Sequence, residues 1–317
     1  MRFVMSCGNA NVDIFMVVKE FPKVDQEVIA RDLYVMMGGS AANFAVALSK
    51  LGTPTCFIGC VGDDELGTSF IKDLESSNVC SEFVVKVPGK GTGRVLILVK
   101  SSTGEKVMIA YRGANENLDV SLFPLELFER SRHFHLSSVP PEKALKFLKL
   151  ARSRGSLTSY DPGGYATMGF KAFKDLLIYV DLLFLNKVET RAISGIHDLR
   201  ASIKRLLEGG VKVVVVKLGK EGALASDGQS FYKSRAFEVA VVDTTGAGDA
   251  FNAGFVHGYL HGLSLEECLT LGNVVACLKI TRRGARSSPM LSEVIKFMHN
   301  RGLSNIADKL KSRINYY

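Results

Sequence analysis

Late in the chain, Asp243-Thr244-Thr245-Gly246-Ala247-Gly248-Asp249 concentrates residues able to do chemistry. An apolar run, Glu238 to Val242, leads into it, and a very apolar segment from Ala250 to Phe255 leads out, so the pattern predicts strand, Gly-rich turn and helix. At such a helix start the free backbone N–H groups and the positive end of the dipole make an anion site, and glycine lets the backbone come close to the anion. Asp249 does not fit phosphate binding, because like charges repel. It fits a general base that takes the proton from a hydroxyl attacking beside that anion. The plainer alternative is an aspartate that only complements the dipole.

A second signal, Gly38-Gly39-Ser40-Ala41-Ala42-Asn43, opens a predicted helix from Ala41 to Leu51, with Ser40 as its cap and Gly52 just past its end. Asn43 can hydrogen-bond a polyol through its amide, although a plain capped helix explains the same residues. Other phosphate motifs are missing. There is no G-x-x-x-x-G-K-[ST] loop and no G-x-G-x-x-G after the first strand, which excludes a P-loop enzyme and a dinucleotide-binding dehydrogenase.

The elements that must position these residues alternate. Phe3 to Cys7, Thr55 to Val61, His133 to Ser137, Leu157 to Asp161, Asp181 to Leu185 and Val211 to Leu218 read as strands, and Val239 to Val242 is dense enough for a buried one. Helical patterns at Glu65 to Ser76, Glu142 to Arg154 and Leu199 to Glu208 separate them, implying βαβ units around a parallel sheet. Ile14 to Val18, Val28 to Met36, Phe83 to Val87, Arg94 to Lys100 and Lys106 to Tyr111 lack intervening helices. They read as a lid, formed by about 14–36 and 83–112, on a single domain of 1–317.

Composition bounds the rest. The 317 residues are 47% hydrophobic and 23% charged, ordinary for a globular protein. No run approaches the ~18 apolar residues of a membrane span, and the N-terminus shows no leader pattern, so a cytoplasmic protein is expected. The six cysteines form no C-x-x-C pair, and a chain of this length needs no disulfide, so Cys56 and Cys60 read as buried small side chains. His257 and His261 have metal-ligand spacing but no third ligand. The net charge of +8 sits mostly from Lys279 onward, where nine Lys or Arg face two acidic residues. Without interleaved aromatics this reads as a solvated basic face rather than a nucleic-acid surface.

Gly38-Gly39-x-x-x-Asn43 together with Asp243-Thr-Thr-Gly-Ala-Gly-Asp249 resembles the paired signatures of the ribokinase-like (PfkB) family of sugar and nucleoside kinases, and the strand pattern is similar over nearly the whole chain. The resemblance implies a three-layer α/β/α sandwich with a mainly parallel central sheet and a small β-sheet lid. It implies ATP as donor, Mg²⁺, and γ-phosphoryl transfer to a hydroxyl of a sugar or sugar-like substrate. On it, Asp249 is the base and the backbone of Gly246, Ala247 and Gly248 the anion hole. Asp13, Gly39 and Asn43 hold the substrate, and Arg112 reaches it or the transferring phosphate. Asn186 and Glu189 lie near Mg²⁺, partly through water, although Asn with Glu three residues later also makes a capping box. Lys217, Gly219 and Gly222 border the nucleotide, and Asn273 lies on the helix closing the adenine side. Asp243 and Thr245 are where relatives hold a monovalent cation such as K⁺. A homodimer through the lid is implied too, with Val85, Val95, Ile97, Val99 and Met108 as its apolar face.

Two departures bear on the substrate. Many relatives carry Asp-x-Asn-x-Arg where this chain has Asp161-Pro162-Gly163-Gly164-Tyr165, and ribokinases often have Lys in place of Ser40. A nucleoside kinase therefore stays open, with Phe15, Met16 and Phe44 as an apolar wall for a base or, by default, as packing. A binding module that keeps the pocket without turnover is the rival from another class.

Overall fold

Apolar runs become strands covered on both faces, and amphipathic segments become the helices that cover them. The structure, a computed structural model, describes residues 3–314. The first half contains β1 (Phe3–Gly8), β2 (Asn11–Val18), β3 (Asp32–Gly38), α1 (Ser40–Lys50), β4 (Thr55–Gly62), α2 (Glu65–Ser76), β5 (Val84–Val87), β6 (Gly93–Lys100), β7 (Lys106–Tyr111), α3 (Leu125–Glu129), β8 (Ser131–Ser137) and α4 (Pro141–Ser153). The second contains β9 (Leu157–Asp161), α5 (Gly169–Phe173), β10 (Leu182–Asn186), α6 (Lys187–Ser194), α7 (Leu199–Glu208), β11 (Val213–Lys217), β12 (Ala223–Ser226), β13 (Phe231–Ser234), α8 (Ala247–Leu260), α9 (Leu265–Ile280), α10 (Leu291–Asn300) and α11 (Ser304–Ile314).

A nine-stranded sheet runs in the order β13-β12-β11-β10-β9-β8-β1-β4-β5. It is parallel from β11 to β5, and β12 and β13 extend it antiparallel. Alternate residues of one strand serve opposite cores. Val214 and Val216 join Phe147 of α4 and Ile203 of α7, whereas Val213 and Val215 join Phe44 of α1, Phe255 of α8 and Val275 of α9. Two covered faces are why these strands read as continuous apolar runs rather than alternating ones. This is the expected α/β/α sandwich.

The second sheet has four strands, in the order β3-β2-β6-β7. Its register puts Asp13, Phe15 and Ile97 on one face, with Phe15 and Ile97 buried against the body. The opposite face carries two apolar rows, Val35–Ile14–Leu96–Ile109 and Leu33–Met16–Leu98–Val107. Leu33, Val35 and Ile109 remain 56%, 51% and 60% exposed. The expected outer face is therefore corrected. Val95, Ile97, Val99 and Met108 have the opposite parity, because one residue along a strand switches faces; Ile97 is buried there, whereas Met108, on the edge strand β7, stays 66% exposed.

Other expectations also change. Phe83 to Val87 does not belong to the lid, since β5 pairs parallel with β4 at the edge of the large sheet. Val239 to Val242 forms no strand, and Val241 and Val242 are exposed. Cys56 and Cys80 are joined as a disulfide across an isolated parallel bridge, while Cys7, Cys60, Cys268 and Cys277 are buried free thiols. That pairing spans 24 residues and depends on strand register, which spacing does not reveal. Gly39, not Ser40, occupies the cap of α1. His257 bonds Thr53 at 2.8 Å and His261 bonds the His257 carbonyl at 2.7 Å, and no three metal-ligating side chains cluster among the described residues. No helix among them is long and apolar enough to cross a membrane.

Candidate active site

The parallel strands β1, β8, β9, β10 and β11 all end on one edge, at Gly8, Ser137, Asp161, Asn186 and Lys217. In open α/β sheets ligands sit in the crevice outside these carboxyl ends. Helices α1 and α8 start against this edge, and their two glycine-led N-termini meet there. Gly39 holds φ 92°, and a Cβ on it would lie 2.1 Å from the Asn9 carbonyl. Gly246 caps α8 with φ 77°, and a Cβ there would lie 2.6 Å from the Ala285 carbonyl. A side chain at either position would push the helix start out of place.

The two starts are bonded to each other. Asn43 Nδ2 donates to Asp249 Oδ2 at 2.9 Å, and Arg286 Nε donates to Asn43 Oδ1 at 3.3 Å. The Asn43 amide is therefore engaged with Asp249 rather than open to a polyol. Burial lifts the Asp249 carboxyl to about 6, with Asp161 adding to the shift and Asn43, Lys217 and Ser40 opposing it. Burial likewise lifts Asp13 to about 6, against Arg286. The Asp13 carboxylate lies against Gly38, where no side chain competes for the space. Arg286 donates to the Gly38 carbonyl at 2.9 Å, pairs with Asp73 and lies over the Phe70 ring, so it ties this pocket to α2.

Below the α8 turn lies a buried polar cluster. Lys217 Nζ donates to Asp161 Oδ2 at 2.6 Å, and Asn252 Nδ2 donates to the same oxygen at 2.7 Å. Burial alone would raise Asp161, but Lys217 and Asn252 outweigh it and hold the carboxyl below its ordinary range. A Cβ on Gly248 would lie 3.4 Å from Lys217 Nζ, which places the ammonium directly under the turn. Asn186 and Glu189 do form the capping box, each accepting the other's backbone N–H at 2.8 Å. Glu189 is pushed up by burial and by Asp161, so a cation near its second oxygen would relieve it. A hydrated Mg²⁺ suits such a lone carboxylate better than a closed cage of ligands would.

A cavity of about 880 Å³ opens on the other side of the α8 turn, in the range of small-molecule sites. Lys217, Gly219, Gly222, Ala247, Gly248 and Asn273 are among its lining residues. Asn273 spends its amide on the carbonyls of Ser234 and Arg235, at 3.1 and 3.2 Å, and so shapes the wall. The Ala247 N–H donates to Thr244 O at 3.1 Å, whereas those of Gly246 and Gly248 meet no carbonyl among the described residues. Asp243 is already engaged. Its carboxylate accepts the Thr245 and Gly284 amides at 2.9 and 2.8 Å, and its carbonyl accepts Lys279 Nζ at 2.8 Å. Arg112 stands apart from this cluster. It lies 5.9 Å over the Tyr165 ring and lines a separate cleft of about 240 Å³ with Asn9, Val139, Pro140 and Lys143. Phe44 stacks on His135 in the core and Phe15 stacks on Tyr34, so both are packing residues.

Asp161, Asn252, Arg286 and Lys279 are the residues that sequence reasoning passed over. Asp161 had a readable signal, a carboxylate ending a parallel strand beside Asn186 and Lys217, but the missing Asn and Arg after it drew attention away. The other three act across the fold and leave no local pattern.

Comparisons with known proteins show the family and the fold. The model of the family described as pfkB family carbohydrate kinase matches residues 1–292. The chain is 34% identical to an ATP-dependent ribose-1-phosphate kinase of Halopiger xanaduensis over 302 residues, 94% of this chain and 98% of the relative. Its fold is similar to a crystal structure of ribokinase from Thermotoga maritima, with a TM-score of 0.86 at 30% identity, covering 95% of this chain and 100% of that one. It is similar also to Arabidopsis thaliana ribokinase complexed with ribose and ATP, with a TM-score of 0.84 at 28% identity over 94% of this chain and 98% of that one.

Proposed function

This chain belongs to the pfkB family of carbohydrate kinases, phosphotransferases with an alcohol group as acceptor, and on that premise we propose that it transfers the γ-phosphoryl group of ATP to a hydroxyl of a sugar. One observation carries the reading. Asp249 sits between two sites, bonded to Asn43 on the Gly38–Asn43 side and following directly on Ala247 and Gly248, which line the large cavity. Asp249 takes the proton of the attacking hydroxyl, while Asp13 and the Gly39 turn orient the sugar. The free amides at the start of α8 and the Lys217 ammonium beneath them meet the transferring charge. The large cavity takes the nucleotide. Mg²⁺, held by Glu189 and Asn186 partly through water, would neutralise phosphate charge. A K⁺ ion at Asp243 and Thr245 is not part of this reading, because the chain's own donors already occupy Asp243. ATP as donor fits a cytoplasmic setting.

The small cleft narrows the acceptor. Arg112 forms no ion pair among the described residues, and Lys143 Nζ donates only to the Glu116 carbonyl, at 2.7 Å. Two cations so placed favour a sugar that already carries a phosphate, in keeping with the Halopiger relative's name. Tyr165 with Val139 and Pro140 favours a second reading, a nucleoside whose base stacks there. ADP release measured with sugars, sugar phosphates and nucleosides separates these readings, and silence with all of them would favour a binding module. Arg112→Ala is expected to raise KM for the best sugar phosphate roughly 10-fold or more while sparing neutral sugars. An equal change for both would remove the anion subsite.

The outer lid face fits a second copy of this chain. Eight apolar side chains in two registered rows leave a surface that a twofold mate can cover with its own identical rows. Sedimentation of the wild type is expected at twice 34.5 kDa, and Ile109→Lys should give the monomer with its thermal midpoint little changed. A wild-type monomer at micromolar concentration would end the dimer.

A further inference from the structure

Lys279 is buried, and the reading above gives it no task. It lies in the last turn of α9 and is 0% exposed. An ammonium taken out of water is costly unless it is partnered, and a leucine would fill the same space without that cost. Its partner is the Asp243 carbonyl, at 2.8 Å, at the entrance to the turn that becomes the anion hole. The segment is clamped there from several directions. The Val242 and Asp243 amides both donate to the Ile280 carbonyl, at 2.8 and 3.1 Å, and the Asp243 carboxylate ties down Thr245 and Gly284. Lys279 is the cation of this clamp, and Asp243 and Asp249 are the carboxylates whose fields reach it.

We propose that Lys279 is the resident cation of the phosphate-binding turn. It is a positioning residue that holds the Asp243 carbonyl and fixes the approach to Gly246–Gly248, so that the turn needs no bound monovalent ion. The inference rests on the kinase reading for its activity readout but not for its structural one. A carbonyl held by a tethered ammonium has one lone pair directed at nitrogen, and a free ion would have to displace that ammonium to use it. Removing the ammonium leaves a carbonyl and a carboxylate edge that a small free cation can enter.

The test compares wild type, Lys279→Met and Lys279→Ala in potassium, ammonium and tetramethylammonium chloride at equal ionic strength. The wild type is expected to turn over at one rate in all three. Lys279→Ala should lose kcat by roughly 10- to 100-fold with KM for the sugar unchanged, and ammonium or potassium should restore part of the loss. Several-fold activation of the wild type by potassium overturns the proposal. So does a Lys279→Ala enzyme with full kcat, or a folded one that neither small cation rescues, since a packing role alone would not respond to ions. Lys279→Met keeps most of the side-chain volume and is expected to lose kcat without rescue. If both variants fail to fold, the wild-type ion response alone decides. If no acceptor is turned over, the kinase reading fails separately, and melting temperatures decide here. Ammonium should then stabilise Lys279→Ala and not the wild type, and a wild type stabilised as strongly as the variant would overturn the assignment.

Discussion

Asp249→Asn is expected to lower kcat by roughly 10²- to 10⁴-fold with little change in KM. The substitution keeps the shape and keeps an oxygen that can accept the Asn43 amide, now 2.9 Å from Asp249 Oδ2, so the two helix starts should remain joined. What is lost is the ability to take a proton. The pH dependence supplies a second signature. Burial places the Asp249 carboxyl near 6 rather than at its ordinary value. A base works only when deprotonated, so the wild-type kcat should rise with pH through about 6 and level off above it. The variant's residual rate should lack that limb. Asp13 also titrates near 6, but it grips the substrate, so its limb belongs in KM. Steady-state rates across that range check both points. An Asp249→Asn enzyme with wild-type kcat would remove Asp249 from the chemistry.

How much of this was legible in sequence follows from where the information lies. Val213 to Val216 was readable because a strand buried on both faces must be apolar along its buried length, and the Gly246–Asp249 turn because its chemistry is contiguous. Strand β5 was not. Its alternating pattern is the same whether it borders the large sheet or the lid, and only pairing with β4 decides. Val95, Ile97 and Val99 of the expected lid face failed by one position of parity, which hydrophobicity alone does not set when both faces are apolar. The basic C-terminal region misled for another reason. Counting charges there suggests a solvated face, yet Lys279 is fully buried, Arg286 nearly so, and Lys309 is paired with Glu267. Charge counts carry no burial. Asn43 shows the same limit, since its partner Asp249 is 206 residues away.

Lys217 gives the other large effect, because it binds stability and chemistry together. Lys217→Met removes one member of a buried pair and leaves the Asp161 carboxylate, 7% exposed, with the Asn252 amide and the Gly163 N–H as its remaining donors. Breaking such a pair from one side costs on the order of 3–5 kcal/mol, because the charge left behind stays desolvated. The double variant Lys217→Met with Asp161→Asn should recover much of that loss, since a neutral amide needs no counter-ion there. The same cluster biases Asp249, which Asp161 pushes up and Lys217 pulls down. The acid limb of kcat should therefore move to higher pH in Lys217→Met and to lower pH in Asp161→Asn, opposite signs from two halves of one ion pair. Denaturant midpoints and pH profiles of the three variants test the argument. If Lys217→Met is as stable as the wild type, the pair is not closed in solution. If both limbs move the same way, the cluster does not tune Asp249 through charge.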